Sequence, residues 1–328
     1  MKILILTHDE VTQLLPMPEC IAAMEEALSA LARGEMDQPL RMVFRPAAAS
    51  GVMAMMPSYK SGSEAVFGLK AICVFPDNPT KGKDAHQGGV LLFSGETGEP
   101  LALMNASAIT AIRTAAVSGV ATRLLARDEA RKLAIIGAGV QARSHLTAMA
   151  HVRAITSACI ASRTFAHAQA FVDEMQSSCA FPLEAVESVR AAVTGADIIV
   201  TATTATEPVL QREWIAAGTH INAVGTFSPA AREIDTATMA AASLFVDRRQ
   251  SALNEAGDYL LAAGEGAFGP NHIRAEVGEV LKGAAKGRTT SDEITLFKSL
   301  GLAIEDLAAA AHLYRKAQQE HCGSWVEF

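Results

Sequence analysis

Apolar and polar positions alternate differently in the two halves of the chain. Residues 18–33 place apolar side chains at helical spacing, with Pro18 and Glu19 suited to a first turn. From about residue 40 to 103 short apolar runs are separated by turn residues. The runs 53–57, 66–75, 89–93 and 100–104 predict strands, and Ser94-Gly-Glu-Thr-Gly98 predicts a hairpin-like turn. Asn105 or Ser107 can cap a long helix through Ala126 that carries Arg113 and Thr114 into the next region. Beyond it, the runs 132–136, 155–161, 196–204, 220–225 and 243–247 are nearly continuous in apolar residues and alternate with helical stretches, the pattern of a parallel sheet covered on both faces. Residues 290–317 read as one more helix, with Ser291 before an acidic first turn and an apolar face through Leu296, Phe297, Ile304, Leu307 and Ala311, interrupted at Gly301.

The most informative stretch is Lys132-Leu-Ala-Ile-Ile-Gly-Ala-Gly-Val-Gln-Ala142, an apolar run ending in Gly137-x-Gly139-x-x-Ala142. Gly137 allows a sharp turn out of a strand, Gly139 lets backbone N–H groups approach a pyrophosphate, and Ala142 lets the following helix lie close on the sheet. The N–H groups of Val140 and Gln141 open that helix, where the dipole favours an anion. About twenty residues on, where the adenosine ribose is read, stand Ser162, Arg163 and Thr164. A carboxylate there would bind the ribose 2′-OH and repel a 2′-phosphate. A cation with two hydroxyls instead favours NADP(H), with NAD(H) possible. The strand ends further on place Thr203, Val224, Gly225, Thr226 and Asp247 near the nicotinamide, because ligands lie beyond the carboxyl ends of such strands. Thr114 joins the cofactor set.

Length and composition narrow the class. At 328 residues, half of them hydrophobic, the chain can form two domains. The formal charge of −7 and the scattered Lys and Arg leave no basic face, so neither nucleic acid nor a membrane surface is expected as a partner. The N-terminal apolar stretch is too short for a signal peptide, and a cytoplasmic location is expected. Five cysteines without CxxC spacing suit a reducing compartment and are expected to be buried apolar fillers, and nine histidines show no metal-ligand spacing. The fold class is α/β: a Rossmann-type parallel sheet domain plus an α+β domain.

Taken in order, residues 53–57, Gly68-Leu-Lys70, 94–100, 101–116, 136–142, 221–225 and 293–306 resemble the ornithine cyclodeaminase and μ-crystallin family over nearly the whole chain. The resemblance implies a homodimer. Its substrate-binding and dimerisation domain would be residues 1–114 completed by a C-terminal helix at 302–328, with the dinucleotide-binding domain at 115–301. It also implies a small α-amino or α-imino acid substrate, whose carboxylate would be held by Arg41, Lys70 and Arg113. An arginine fork and a lysine point charge suit that task. Three converging cations would repel one another unless an anion were bound, which argues against a purely structural role.

In cyclodeaminases of this family an Asp two residues beyond the glycine of the fourth-strand turn acts on the substrate amine. Here Phe227 stands at that place in Val224-Gly-Thr-Phe-Ser-Pro229, and a phenyl ring accepts no proton. The same departure weighs against an amino-acid dehydrogenase. Hydride transfer to a carbon–nitrogen double bond needs no strong base, so the resemblance implies NAD(P)H-dependent reduction of cyclic ketimines: Δ1-pyrroline-2-carboxylate to L-proline and Δ1-piperideine-2-carboxylate to L-pipecolate. Met53, Met55 and Phe227 would pack against the ring. Lys70, Ser228 or an ordered water would give the proton, with Lys70 first, and Lys70 and Arg113 are the catalytic candidates. The alternatives are ornithine cyclodeaminase, which releases ammonia without net cofactor turnover, and a cofactor-dependent crystallin-like binding protein, whose pocket would be closed to small acids.

Overall fold

The computed structural model describes residues 1–328 apart from the side chain of Pro79. The chain divides into two compact units, the first of Met1–Arg113 with Gly301–Phe328 and the second of Thr114–Leu300.

Among the described residues the first unit holds an eight-stranded sheet. Its strands are β1 (Lys2–Leu6), β2 (Met36–Asp37), β3 (Met42–Phe44), β4 (Val52–Lys60), β5 (Val66–Val74), β6 (His86–Ser94), β7 (Pro100–Asn105) and a C-terminal strand, Ser324–Glu327. β4 to β7 form an antiparallel meander, while β1 lies parallel to β7 and antiparallel to the C-terminal strand. Successive side chains point to opposite faces. One face of the meander buries Ala54, Met56, Lys70, Ile72, Val90, Leu92, Ala102 and Met104. The helix Ala303–Glu320 packs on it and on the helix Met17–Arg33. Close approach depends on Gly68, where a Cβ would stand 2.8 Å from Leu307. Of the two cap candidates for Ala106–Leu125, Asn105 serves: its Oδ1 accepts from the Ala108 N–H at 3.0 Å, and the Ser107 hydroxyl donates to Asp84. By length and composition that helix could cross a membrane, but 72% of its most apolar window is buried inside the fold.

The second unit is a parallel sheet of β8 (Lys132–Ile136), β9 (Ser157–Ala161), β10 (Leu183–Ala185), β11 (Ile198–Thr201), β12 (His220–Ala223), β13 (Ser243–Val246), β14 (Ile273–Glu276) and β15 (Thr295–Lys298). The order β10-β9-β8-β11-β12-β15-β13-β14 reverses direction between β8 and β11. Such a switch point leaves a crevice at the carboxyl ends of the strands. The helix Val140–Val152 follows β8 directly, as the Ala-rich stretch predicts.

Three expectations are corrected. Residues 290–317 are not one helix. Thr295–Lys298 is a buried strand between β12 and β13, and the helix starts only at Ala303, after the turn at Gly301 (φ 76°). A short run buried on both faces carries no periodicity that separates strand from helix. The acidic first turn of the true helix is Glu305-Asp306. Of the cysteines, only Cys20 is fully buried, and the other four are partly exposed. Met53 sits on the sheet face opposite Lys70: Lys70 pairs with Met56, three residues along β4, so strand alternation turns Met53 away.

Candidate functional site

In the first unit Arg113, Lys70 and Arg41 meet one acidic turn. Arg113 Nε donates to Asp306 Oδ1 at 2.9 Å and its NH1 to Glu305 Oε2 at 2.7 Å. Lys70 Nζ lies 2.7 Å from Asp306 Oδ2. Arg41 NH2 donates to the Gly301 carbonyl at 3.1 Å, and Gly301 lies against the Arg113 guanidinium, where a Cβ would come within 2.6 Å of NH1. Except for Arg41 these side chains are buried. The two carboxylates thus neutralise much of the repulsion expected among the three cations. The group Arg41, Lys70, Arg113, Glu305 and Asp306 keeps one excess positive charge, suited to one carboxylate of a small acid.

Burial pushes the Lys70 pKa down to about 8, with Arg113 and Arg41 adding to the fall and Asp306 opposing it. For Asp306, burial favours the protonated acid, but Arg113 and Lys70 outweigh it and hold the carboxyl below its usual range. Glu305 and Asp306 escaped the sequence reading, although the acidic pair at a helix start was a usable signal. So did His86, on the same sheet face as Lys70 by register, whose pKa is lowered by burial and then by the Lys70 and Arg113 charges.

In the second unit the glycine turn leaves open space at the start of a helix. Gly137 turns out of β8 at φ 117°, and a Cβ there would meet the Ala202 carbonyl at 2.3 Å. At Gly139, which opens the helix with no side-chain cap, a Cβ would meet nothing within 4 Å. Open space before uncapped N–H groups is where an anion fits. Val140 stands exposed there and Ala142 is buried against the sheet. Arg143, also missed, donates from NH1 to the Ala138 carbonyl at 2.7 Å and pairs with Glu174, which braces the turn. Ser162 and Arg163 follow β9, Arg163 is exposed, and Thr164 precedes the helix Phe165–Met175.

Thr203, Val224, Gly225 and Thr226 come together at the ends of β11 and β12, while Phe227 and Ser228 are exposed on the loop that follows. Thr114 is buried. Asp247 is also buried, and its carboxylate accepts from the Arg248 N–H at 2.8 Å and the Leu300 N–H at 2.6 Å, so it holds the frame of the sheet ends.

Residues 1–321 match the ornithine cyclodeaminase/mu-crystallin family. The chain is 39% identical to a Delta(1)-pyrroline-2-carboxylate reductase of Bacillus cereus over 326 residues, 99% of this chain and 100% of that one. It is 39% identical to the ketimine reductase mu-crystallin of Mus musculus over 297 residues, 90% of each chain. Among solved structures, the Thermococcus litoralis Delta(1)-pyrroline-2-carboxylate reductase in complex with NADH and L-proline matches with a TM-score of 0.95 at 40% identity, covering 99% of this chain and 100% of that one.

Proposed function

Because the chain belongs to the ornithine cyclodeaminase/mu-crystallin family, we propose that it reduces cyclic ketimines, Δ1-pyrroline-2-carboxylate to L-proline and Δ1-piperideine-2-carboxylate to L-pipecolate, with a reduced nicotinamide dinucleotide. It is an oxidoreductase of carbon–nitrogen bonds. The observation that carries the reading is the buried, charge-balanced cluster on Asp306 with Arg41 at its edge, which together hold one excess positive charge suited to one substrate carboxylate.

Arg41, Lys70 and Arg113 bind and orient that carboxylate, which fixes the imine carbon for attack. Lys70 is the first choice for holding the proton at the imine nitrogen, since a pKa near 8 keeps most of its ammonium intact at neutral pH while making the proton transferable. Glu305 and Asp306 are engaged with the cations, and Phe227, where cyclodeaminases carry an Asp, accepts no proton from an amine. Gly137, Gly139, Val140, Gln141 and Ala142 would cradle the pyrophosphate. Ser162, Arg163 and Thr164 would take the ribose with its phosphate, which favours NADP(H) over NAD(H). A bound reduced nicotinamide supplies a hydride and is left cationic.

The meander face away from Lys70 supports a homodimer. Register places Met42 and Phe44 beside Met55 and Met53, and Phe67 beside Tyr59 and Phe93, on one face with Leu103. Phe44 is 60% exposed and Phe67 48%, an apolar surface that a second copy would cover. The five unpaired cysteines fit a reducing cytoplasm.

The deciding assay follows reduced-nicotinamide absorbance with each imine, using NADPH and NADH, beside an ammonia assay on ornithine with NAD. Oxidation with either imine is the expected result, faster with NADPH. Silence there, with ammonia from ornithine, would replace the reductase by a lyase.

A further inference from the structure

Glu233 is fully buried in the second unit and ties together the ends of two neighbouring parallel strands. Its Oε1 accepts from the Thr203 N–H and hydroxyl, both at 2.7 Å. Its Oε2 accepts from the Thr201 hydroxyl at 2.9 Å and the Gly225 N–H at 2.7 Å. Gly225 must lack a side chain, because a Cβ would come within 2.5 Å of Oε1.

Behind this clamp, Lys298 Nζ donates to the Thr226 carbonyl at 2.7 Å and pairs with Asp258 Oδ2 at 2.9 Å. Asp258 Oδ1 accepts from the Glu233 and Ile234 N–H groups at 2.7 and 2.9 Å. Glu233, Asp258 and Lys298 are all 0% exposed. Burial, with the Asp258 charge adding to it, raises the proton affinity of Glu233 above that of an ordinary carboxylate, while the Lys298 charge and the Thr203 donors oppose the rise. Four donors converge on the two oxygens, and two of them are backbone N–H groups that can only donate, so the hydrogen bonds favour the ionised carboxylate against the pull of burial. With Glu233 ionised, two carboxylates and one ammonium leave one negative charge in a dry interior.

We infer that Glu233 is a positioning residue of the nicotinamide site: it fixes the turns at Thr203 and Gly225, and its charge favours the oxidised, cationic ring over the reduced, neutral one. The inference rests on reading those turns as the nicotinamide edge. Hydride transfer moves one positive charge from the protonated imine to the ring, and only an interaction stronger after that movement than before it lowers the barrier. A fixed negative charge away from water is such an interaction.

The test is calorimetric binding of ADP-ribose and of the reduced and oxidised dinucleotides to the wild type and to Glu233→Gln. ADP-ribose affinity should change less than about twofold. Affinity for the oxidised form should fall about tenfold more than that for the reduced form, equivalent to about 1.4 kcal/mol. An unchanged ratio of oxidised to reduced affinity, or equal losses for all three ligands, would overturn the inference. Should Glu233→Gln fail to fold, Asp258→Asn removes the same net charge from the other side of Lys298 and must shift the ratio in the same direction. A wild type that binds no dinucleotide would instead overturn the cofactor reading itself.

Discussion

Two buried charge clusters, one in each unit, are built to opposite ends. Around Asp306 the charged groups bond mostly to one another and balance, and Arg41 at their edge makes the excess positive. Around Glu233 the carboxylates bond mostly to the backbone of the turns they brace, and the excess is negative. A cluster whose acceptors are used on its own backbone is a frame, since it holds the turns in place and its charge acts from a fixed position. A cluster of facing side chains with unmatched positive charge is a recognition site, because an incoming anion completes it.

Breaking the first cluster should cost most in stability. Asp306→Ala leaves Lys70 and part of Arg113 buried without their partner, and denaturant unfolding should show a loss of about 3–5 kcal/mol. A loss below about 1 kcal/mol would mean that water already screens the pair. Arg41 should separate binding from folding, being bonded to the Gly301 carbonyl at the edge of the cluster. Arg41→Met should raise the KM for the imino acid about a hundredfold, roughly 3 kcal/mol, with little change in the unfolding midpoint. Unchanged kinetics would remove Arg41 from the site.

The glycine turn offers the matching separation in the second unit. Gly139→Ala adds a methyl group into open space at φ −90°, so stability should hold within about 0.5 kcal/mol while dinucleotide affinity falls about tenfold. Gly137→Ala, with its Cβ pressed on the Ala202 carbonyl at φ 117°, should lose stability as well. If calorimetry found both variants equally stable and equally tight, the turn would not be a cradle.

The smallest effect is in pH. As proton source Lys70 must be charged, so kcat/KM for reduction should fall as pH rises through about 8. Asp306 favours the ammonium, so Asp306→Asn should move that fall to lower pH by about one unit. A profile that does not move would assign the proton to another group.

Some of this was legible along the chain because it is local. The strand, the glycines and the helix of residues 132–152 are contiguous, and each residue's use follows from its own backbone geometry. Arg41, Lys70 and Arg113 could be singled out by resemblance, and Lys70 also by its cost within an apolar strand. Their partners could not, because Asp306 is separated from Arg113 by 193 residues and from Lys70 by more. Nor did residues 295–298 announce a strand: fully buried between two others, they have no polar face to give a period. Likewise Met53 and Met56 differ by three positions in one strand, and only the register with Lys70 shows which of them faces the helix layer.

The sequence by itself determined the alternation of strands and helices, the dinucleotide turn and the identity of the cations, since these depend on periodicity and on what single residues permit. Only the tertiary structure decided which charges are paired, which turn Glu233 clamps and which face of the meander is left apolar. Those depend on contacts between distant segments, where burial sets the strength of every charge and no local pattern records the partner.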